Sequence, residues 1–136
     1  MQPEIWGPSA WTFLHTITLN YPTNPNDEDK SNHKLFFNNL KTIIPCEKCA
    51  IHYKENLNKY PLEAALESKE LLVKWLIDIH NEVNKKNNKK IYSYEEVNKI
   101  YKDMYSINND NKINWNTILI ILVIILIGYF LYKEYM

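Results

Sequence analysis

Two cysteines, Cys46 and Cys49, stand two residues apart in the segment Pro45-Cys46-Glu47-Lys48-Cys49 and are the only cysteines of the 136-residue chain. Thiols at this spacing can close a small disulfide ring or bind a soft metal ion together. Pro45 is favourable at the start of a helix, and the positive end of a helix beside Cys46 favours the thiolate, the form that attacks disulfides. The pair therefore predicts a redox-active disulfide, half of a zinc site or an idle pair of thiols.

The histidines bear on the choice between these interpretations. A structural zinc site needs four ligands, and only His15, His33, His52 and His80 remain to complete one. His52 alone lies within one turn of the cysteines, and the usual paired spacing of histidine ligands is absent, so zinc is less favoured. A thioredoxin-like domain also carries such a cysteine pair, but it is built on a sheet, and no stretch of this chain alternates with a period of two.

The charged residues and the glycines exclude further classes of protein. Sixteen lysines balance sixteen acidic residues and arginine is absent, which disfavours a nucleic-acid binder because phosphate and guanine contacts favour arginine. Only two glycines occur, so the chain cannot build a glycine-rich phosphate loop. A nucleotide cofactor would have to be held by side chains and helix ends.

The C-terminal part of the chain predicts a membrane anchor. Residues 113–132 contain no charged side chain, and about 20 residues of helix span roughly 30 Å, the hydrocarbon thickness of a bilayer. Trp115 stands at one end of this stretch, where interfacial aromatic residues are common. The segment Met1 to Ile5 lacks the pattern of a secretory signal, so we expect a single C-terminal anchor with the preceding domain in the cytoplasm.

Apolar residues at helical spacing predict an all-α bundle of four or five short helices. We expect this domain to cover residues 1–105, followed by a polar linker (106–114), one transmembrane helix (115–132) and a short tail (133–136). The expected helices are 9–21 after a turn at Trp6-Gly7-Pro8, 31–43 after a polar loop, 46–59, a long helix from Ser68 to the lysine-rich run 85–90, and 93–105 with a Ser93–Glu96 capping box.

Each predicted helix has an expected apolar face. On the first helix it includes Trp11, Leu14, His15 and Thr18. On the second and the long helix it consists of Leu35, Phe36, Leu40, Ile43, Ile44, Leu71, Leu72, Trp75, Leu76, Ile79, His80 and Val83. These residues are the predicted core.

Three short motifs follow one another along this domain, and their order and spacing carry a resemblance that no single motif carries alone. They are Trp6-Gly7-Pro8-x-x-Trp11-x-x-x-His15-Thr16, Pro45-Cys46-x-x-Cys49 and His80-Asn81-x-Val83-Asn84. Together they resemble the Erv/ALR family of FAD-dependent sulfhydryl oxidases from Trp6 to about Tyr101. The small size and the apolar tail also resemble the versions carried by large DNA viruses.

The resemblance implies roles for individual residues. Cys49 would be the cysteine next to the flavin, and Cys46 would exchange disulfides with the substrate. His80 and Asn84 lie one turn apart and can address one ligand. The cofactor-binding residues implied are Gly7, Pro8, Trp11, His15, His80, Asn81, Val83, Asn84, Lys90, Tyr92 and Tyr101. Taken without the motifs, Trp11, His15 and Val83 would be core residues and Lys90 part of a solvated helix end.

The chain departs from the family pattern in two respects. Ile77 and Tyr94 stand where many members have a second, structural disulfide, so packing must replace that bridge. No additional cysteine pair is present to shuttle electrons, so a dithiol protein substrate, or a small thiol-disulfide carrier protein, must reach Cys46 itself. The resemblance also implies that two copies could pair through the apolar face of the first helix.

The sequence thus favours an FAD-dependent thiol oxidase that forms disulfides in proteins and reduces dioxygen to hydrogen peroxide. The resemblance suggests a viral disulfide-forming pathway, with the anchor in a host or virion membrane. The alternative is a membrane-anchored binding module without catalysis, whose cysteines hold zinc or form one structural disulfide.

Overall fold

The computed structural model describes residues 1–107 and 115–135 of the chain. These residues form helices and no strands, which confirms the predicted all-α fold. The helices are α1 (Pro3–Leu19), α2 (Asp27–Ile43), α3 (Glu47–Lys59), α4 (Leu62–Ala65), α5 (Lys69–Lys86), α6 (Tyr94–Ile107) and α7 (Trp115–Tyr135). The chain divides into two compact units, Met1–Asn98 and Lys99–Met136.

Helix α5 is the centre of the first unit, where it packs against α1, α3 and α4, while α2 packs on α3. Its sequence permits this position because apolar residues cover most of its circumference, and Leu72, Leu76 and Ile79 are fully buried. Trp75 on the same helix meets the buried ring of Phe37 from α2 edge to face, with ring centroids 5.0 Å apart. The core therefore joins all of the helices of this unit through α5.

The first helix begins six residues earlier than the sequence predicted. Pro3 occupies its first turn and Glu4 follows it, a favourable combination at the positive end of a helix. Pro8 lies inside the helix, although a turn was expected there. Pro8 removes one backbone hydrogen bond and its ring crowds the carbonyl of Glu4, a cost that the packing of α1, with His15 and Thr18 buried, offsets.

The second helix also begins early, and the predicted loop through Lys30 was wrong. Asn26 caps α2: its side chain accepts from the Asp29 N–H at 2.8 Å, and its own N–H donates to the Asp29 carboxylate at 3.0 Å. This is a capping box in which aspartate replaces the usual glutamate or glutamine. The helix therefore starts at Asp27.

Three residues of the predicted core are in fact exposed. Leu35, Ile43 and Leu71 keep 60%, 65% and 46% of their surface in contact with solvent, whereas Phe37, which was not predicted, is fully buried. The periodicity of α2 was correct, but the face that packs on α3 is rotated toward Phe37 and Leu40. The sequence pattern alone does not determine which flank of an apolar stripe meets the neighbouring helix.

The end of α5 and the start of α6 have well-defined caps. The N–H of Lys89 donates to the carbonyl of Asn84 at 2.9 Å, and that of Asn88 to the carbonyl of Lys85 at 3.2 Å, the pattern of a Schellman motif. Asn88 has φ +52° in the position that glycine usually occupies. The predicted capping box of α6 is confirmed, since the Glu96 N–H donates to Ser93 Oγ at 3.2 Å and the Ser93 N–H to the Glu96 carboxylate at 2.8 Å.

Helix α7 carries the predicted anchor. Within the described residues one helix is long and apolar enough to cross a membrane, with a candidate span at Ile118–Tyr135. The predicted linker starts at 106, but α6 continues to Ile107, and the rest of the linker lies outside the described residues. The predicted tail was 133–136, whereas α7 runs to Tyr135, and Met136 lies outside the described residues.

We expect Asn88→Gly to raise the free energy of unfolding by a few tenths to about 1 kcal/mol, because glycine adopts a positive φ without a steric penalty. Asn88→Ala should lower it by about 1 kcal/mol for the opposite reason. Urea denaturation of the detergent-solubilised chain measures both. An alanine variant as stable as the glycine variant would contradict the Schellman geometry.

Candidate active site

Cys46 and Cys49 form a disulfide at the start of α3. Cys46 is the N-cap of this helix, and its sulfur accepts a hydrogen bond from the Cys49 N–H at 3.3 Å. Both cysteines are partly exposed. Among the described residues, no group of three His, Cys, Asp or Glu side chains is placed to hold a metal ion. The pair is therefore accessible to an attacking thiolate and lies where a helix end stabilises negative charge on sulfur.

Two of the predicted cofactor residues, 65 positions apart in the chain, are in direct contact. His15 Nε2 on α1 and His80 Nδ1 on α5 lie 3.0 Å apart, so the N–H of one ring donates a hydrogen bond to the bare nitrogen of the other. Burial, with the neighbouring His80 as a second cause, lowers the pKa of His15 to about 3. Burial, with Lys89 as a second cause, lowers the pKa of His80 to about 4. Both imidazoles are therefore neutral at neutral pH.

Trp11 completes a cluster of three aromatic rings with this pair. Its indole stacks on His80 with ring centroids 3.9 Å apart and an angle of 7° between the planes, and it is tilted against His15 at 6.3 Å. All three side chains lie along the contact of α1 with α5. The structure thus brings together the first and third sequence motifs.

Asn81 holds the segment that follows α5. Its Nδ2 donates to the carbonyl of Tyr92 at 2.8 Å, and its Oδ1 accepts from the N–H of Tyr92 at 3.1 Å. Both ends of the amide are thereby used within the protein. If Asn81 contributes to cofactor binding, it does so by holding this segment, which also carries Lys90, beside α5.

The other predicted cofactor residues have varied surroundings. Asn84 is buried, and its carbonyl accepts from Lys89, while Val83 is half-buried. Lys90 pairs with Glu96 at 2.7 Å and lies over the Tyr92 ring, 4.7 Å from its centroid.

In the N-terminal half of α1, Pro8 is exposed, and a Cβ on the buried Gly7 would meet no atom within 4 Å. Tyr101 lies on α6 in the second unit, and its role in cofactor binding stays a prediction.

The apolar face of the first helix that was expected to serve a homodimer packs inside the protomer, with Trp11 and Leu14 against the core. Ile5 and Phe13, at other positions of α1, are 75% and 59% exposed, and the pairing of two copies stays a prediction.

Sequence reasoning missed the contacts of Glu82. Its carboxylate accepts from Lys59 Nζ at 2.9 Å, from Lys85 Nζ at 2.9 Å and from the Tyr60 hydroxyl at 3.1 Å. Hydrogen bonds from Lys85 and then Lys59 lower the pKa of Glu82 to about 2. The i,i+3 spacing to Lys85 was visible in the sequence, but the partners on α3 were not. Glu82 fastens the C-terminal end of the disulfide-bearing helix to α5.

Sequence reasoning also missed two buried donors. Asn56 Nδ2 and Trp6 Nε1 have no hydrogen-bond partner within the described part of the chain. Asn56 lies seven residues after Cys49 and therefore on the same face of α3. A buried donor without an acceptor costs roughly 1–3 kcal/mol, so a ligand with acceptor atoms at these positions would stabilise the protein. The two donors thus fit a ligand that presents hydrogen-bond acceptors to them.

The chain was compared with known families and proteins. The model of the Erv1 / Alr family matches residues 8–102. A probable FAD-linked sulfhydryl oxidase of Acanthamoeba polyphaga mimivirus is 45% identical over 116 residues, which cover 85% of this chain and 81% of that protein. The FAD-linked sulfhydryl oxidase of African swine fever virus (isolate Pig/Kenya/KEN-50/1950) is 35% identical over 96 residues, which cover 71% of this chain and 79% of the viral protein.

Cellular proteins and solved structures give the same result. The mitochondrial FAD-linked sulfhydryl oxidase ERV1 of Saccharomyces cerevisiae is 38% identical over 102 residues, 74% of this chain and 52% of that protein, so the chain spans about half of this longer relative. The crystal structure of the FAD binding domain of Erv1 from the same yeast superposes with a TM-score of 0.70 at 35% identity, over 76% of this chain and 96% of that one. The chain belongs to the Erv1/Alr family.

Proposed function

We propose that the chain is an FAD-linked sulfhydryl oxidase that converts protein dithiols into disulfides and passes their electrons to dioxygen, giving hydrogen peroxide. The observation that carries this proposal is the partly exposed Cys46–Cys49 disulfide at the N-terminus of α3. The family and the names of the viral and cellular relatives support the same activity.

The cysteines perform the exchange with the substrate. A substrate thiolate attacks Cys46, a mixed disulfide forms, and Cys49 leaves as a thiolate. The second substrate thiolate then attacks its own partner sulfur and releases Cys46, so that the substrate is oxidised and both enzyme cysteines are reduced. The helix end stabilises the thiolates at this stage, because its free N–H groups point toward Cys46.

Bound FAD would accept the two electrons of the reduced cysteines and pass them to dioxygen. The side chains that would hold it are the ring cluster Trp11, His15 and His80, with Asn81, Val83 and Asn84 along α5. Gly7, Pro8, Lys90, Tyr92 and Tyr101 are the further binding residues that we propose. The neutral state of the histidine pair lets each imidazole act as both donor and acceptor in a buried site, and the buried donors of Asn56 and Trp6 offer further hydrogen bonds.

We place this activity at a membrane. Helix α7 has 21 residues, enough for about 30 Å of hydrocarbon, and its apolar side chains from Leu119 to Leu131 are exposed. We propose that it anchors the oxidase with the catalytic domain in the cytoplasm, where the enzyme supports the formation of disulfides in viral proteins at assembly. The viral relatives are the support for that setting.

The first test is the visible spectrum of the full chain purified in detergent without added cofactor. We expect bound oxidised flavin that bleaches with a dithiol in the absence of oxygen and recovers in air. Cys46→Ser and Cys49→Ser should each retain the flavin and lose turnover by several orders of magnitude, because neither can form the disulfide. A folded, colourless protein with stoichiometric zinc would establish the binding-module alternative instead.

The histidine pair predicts how stability depends on pH. Because the folded pKa values of His15 and His80 lie below the ordinary 6.5, the unfolded chain takes up more protons as the pH falls. The stabilisation is complete above about pH 6.5 and is lost toward pH 4, by up to about 1.4 kcal/mol per pH unit for each histidine. His80→Gln should show a shallower fall of the free energy of unfolding over this range, measured by urea denaturation. Equal slopes in the two proteins would contradict the buried neutral pair.

Protease treatment of intact vesicles tests the orientation. For a cytoplasmic domain, protease added outside vesicles that expose the cytoplasmic face should digest residues 1–107 and leave a short membrane-embedded fragment. A domain protected until detergent is added would place it in the lumen and overturn the proposed topology.

A further inference from the structure

The disulfide lies at the closed end of a helical hairpin. Helix α2 ends at Ile43 and α3 begins at Glu47, and the two pack against each other. In a mixed disulfide the Cα atoms of the two cysteines lie about 5.5–6 Å apart. Residues next to a substrate cysteine, at about 3.3 Å per extended residue, must therefore lie on this end of the hairpin. Such a contact rests on the proposed function, in which Cys46 reacts with a protein dithiol.

Lysines without ion pairs are concentrated on this hairpin. In the unit Met1–Asn98, seven of the twelve lysines form ion pairs. Of the five that form none in the described structure, three belong to the hairpin: Lys41, Lys48 and Lys54. Lys48 stands between the two cysteines. Lys41 and Lys54 line one groove of about 330 Å³ that α4 closes on its other side, and Lys54 lies about 12 Å along α3 from Cys46 at a rise of 1.5 Å per residue.

Carboxylates do not cancel this charge. Glu63 also lines the groove, but Lys34 neutralises it at 3.0 Å, and Glu55 on α3 is paired with Lys86 at 2.9 Å. The acidic residues Asp27, Glu28 and Asp29 belong to the first turn of α2, about 24 Å from its other end at a rise of 1.5 Å per residue. Glu47 is the remaining carboxylate beside the disulfide, so the closed end is positively charged.

Apolar side chains flank the disulfide as well. Ile43 ends α2 and is 65% exposed, and Ile51 on α3 is 53% exposed. A partner that covers both removes apolar surface from water, at about 25 cal/mol per Å². This part of the hairpin thus exposes both apolar and basic side chains.

We infer that this end of the α2–α3 hairpin, defined by Lys41, Ile43, Lys48, Ile51 and Lys54, is a docking surface for a reduced protein segment that carries acidic residues and an apolar side chain next to its cysteine. The acidic groups lie along the lysines, and the apolar side chain contacts the isoleucines. Two thiols of the partner protein lose two electrons and join in a disulfide, while the Cys46–Cys49 sulfur–sulfur bond breaks and accepts those electrons. Charge complementarity of this kind accelerates encounter and orients the partner.

Dithiol peptides with matched sequences test the inference on the full chain in detergent. Each carries a leucine and two cysteines, with flanks of Asp/Glu, Asn/Gln or Lys, and dithiothreitol serves as a small uncharged substrate. We expect kcat/KM to be about tenfold higher for the acidic than for the neutral peptide, and lowest for the lysine peptide. This preference should vanish near 0.5 M salt, where screening is strong (Debye length of roughly 4–5 Å).

Variants assign the effect to the surface. Lys41→Gln/Lys54→Gln should remove most of the acidic preference and leave the oxidation of dithiothreitol within about twofold, since neither lysine touches the cysteines. Lys69→Gln/Lys102→Gln removes the same charge elsewhere and should retain the preference. Ile43→Ser should slow all three peptides several-fold, again without an effect on dithiothreitol.

The outcomes separate this inference from the function beneath it. Failure of the wild-type chain to oxidise dithiothreitol would refute the proposed oxidase. Oxidation of dithiothreitol with equal rates for the three peptides would leave the oxidase intact and refute the docking surface. If Ile43→Ser abolished self-association in sedimentation experiments without altering peptide turnover, the surface would be a contact between copies, which also overturns the inference.

Discussion

Burial of α5 is the interaction on which the rest of the structure depends. This helix contacts α1, α3 and α4, and six of its apolar side chains are buried. The ring cluster needs α1 against α5, and the helix that carries the disulfide is held to α5 by packing and by Glu82. Any change that loosens α5 would therefore disturb the disulfide and the histidine pair at the same time.

The polar contacts of the site follow from that burial. The two imidazoles are neutral because α1 and α5 exclude water around them, and one hydrogen bond of 3.0 Å joins His15 Nε2 and His80 Nδ1. Glu82 is the opposite case. It remains charged because two lysines and a tyrosine hydroxyl donate to its carboxylate at the partly exposed junction of α3 and α5. The unit thus keeps the imidazoles of its ring cluster uncharged and places ionised groups around Glu82, near the ends of α3 and α5.

Local patterns in the sequence predicted much of the fold but little of its long-range contact. Apolar periodicity and capping residues identified α3, α5 and α6. Their N-caps are Cys46, Ser68 and Ser93, which are the residues at which the sequence predicted these helices to start. The aspartate of the Asn26 capping box and the helical Pro8 are less common choices, and both boundaries were missed. Leu35 and Ile43 were assigned to the core because periodicity defines a stripe, whereas the neighbouring helix decides its buried flank. The motifs indicated His15 and His80, but no local signal places them 3.0 Å apart.

Noncovalent contacts hold the region around Ile77 and the segment that follows α5. Ile77 is buried, and the Asn81 amide ties Tyr92 to α5 through two hydrogen bonds. None of these contacts responds to reductant. The Cys46–Cys49 pair is therefore the single thiol–disulfide couple of these 136 residues, and the contacts that hold α5 and the segment after it do not depend on the surrounding thiol pool. Such an enzyme can turn over in a reducing compartment because its fold does not depend on the disulfide bond that it transfers.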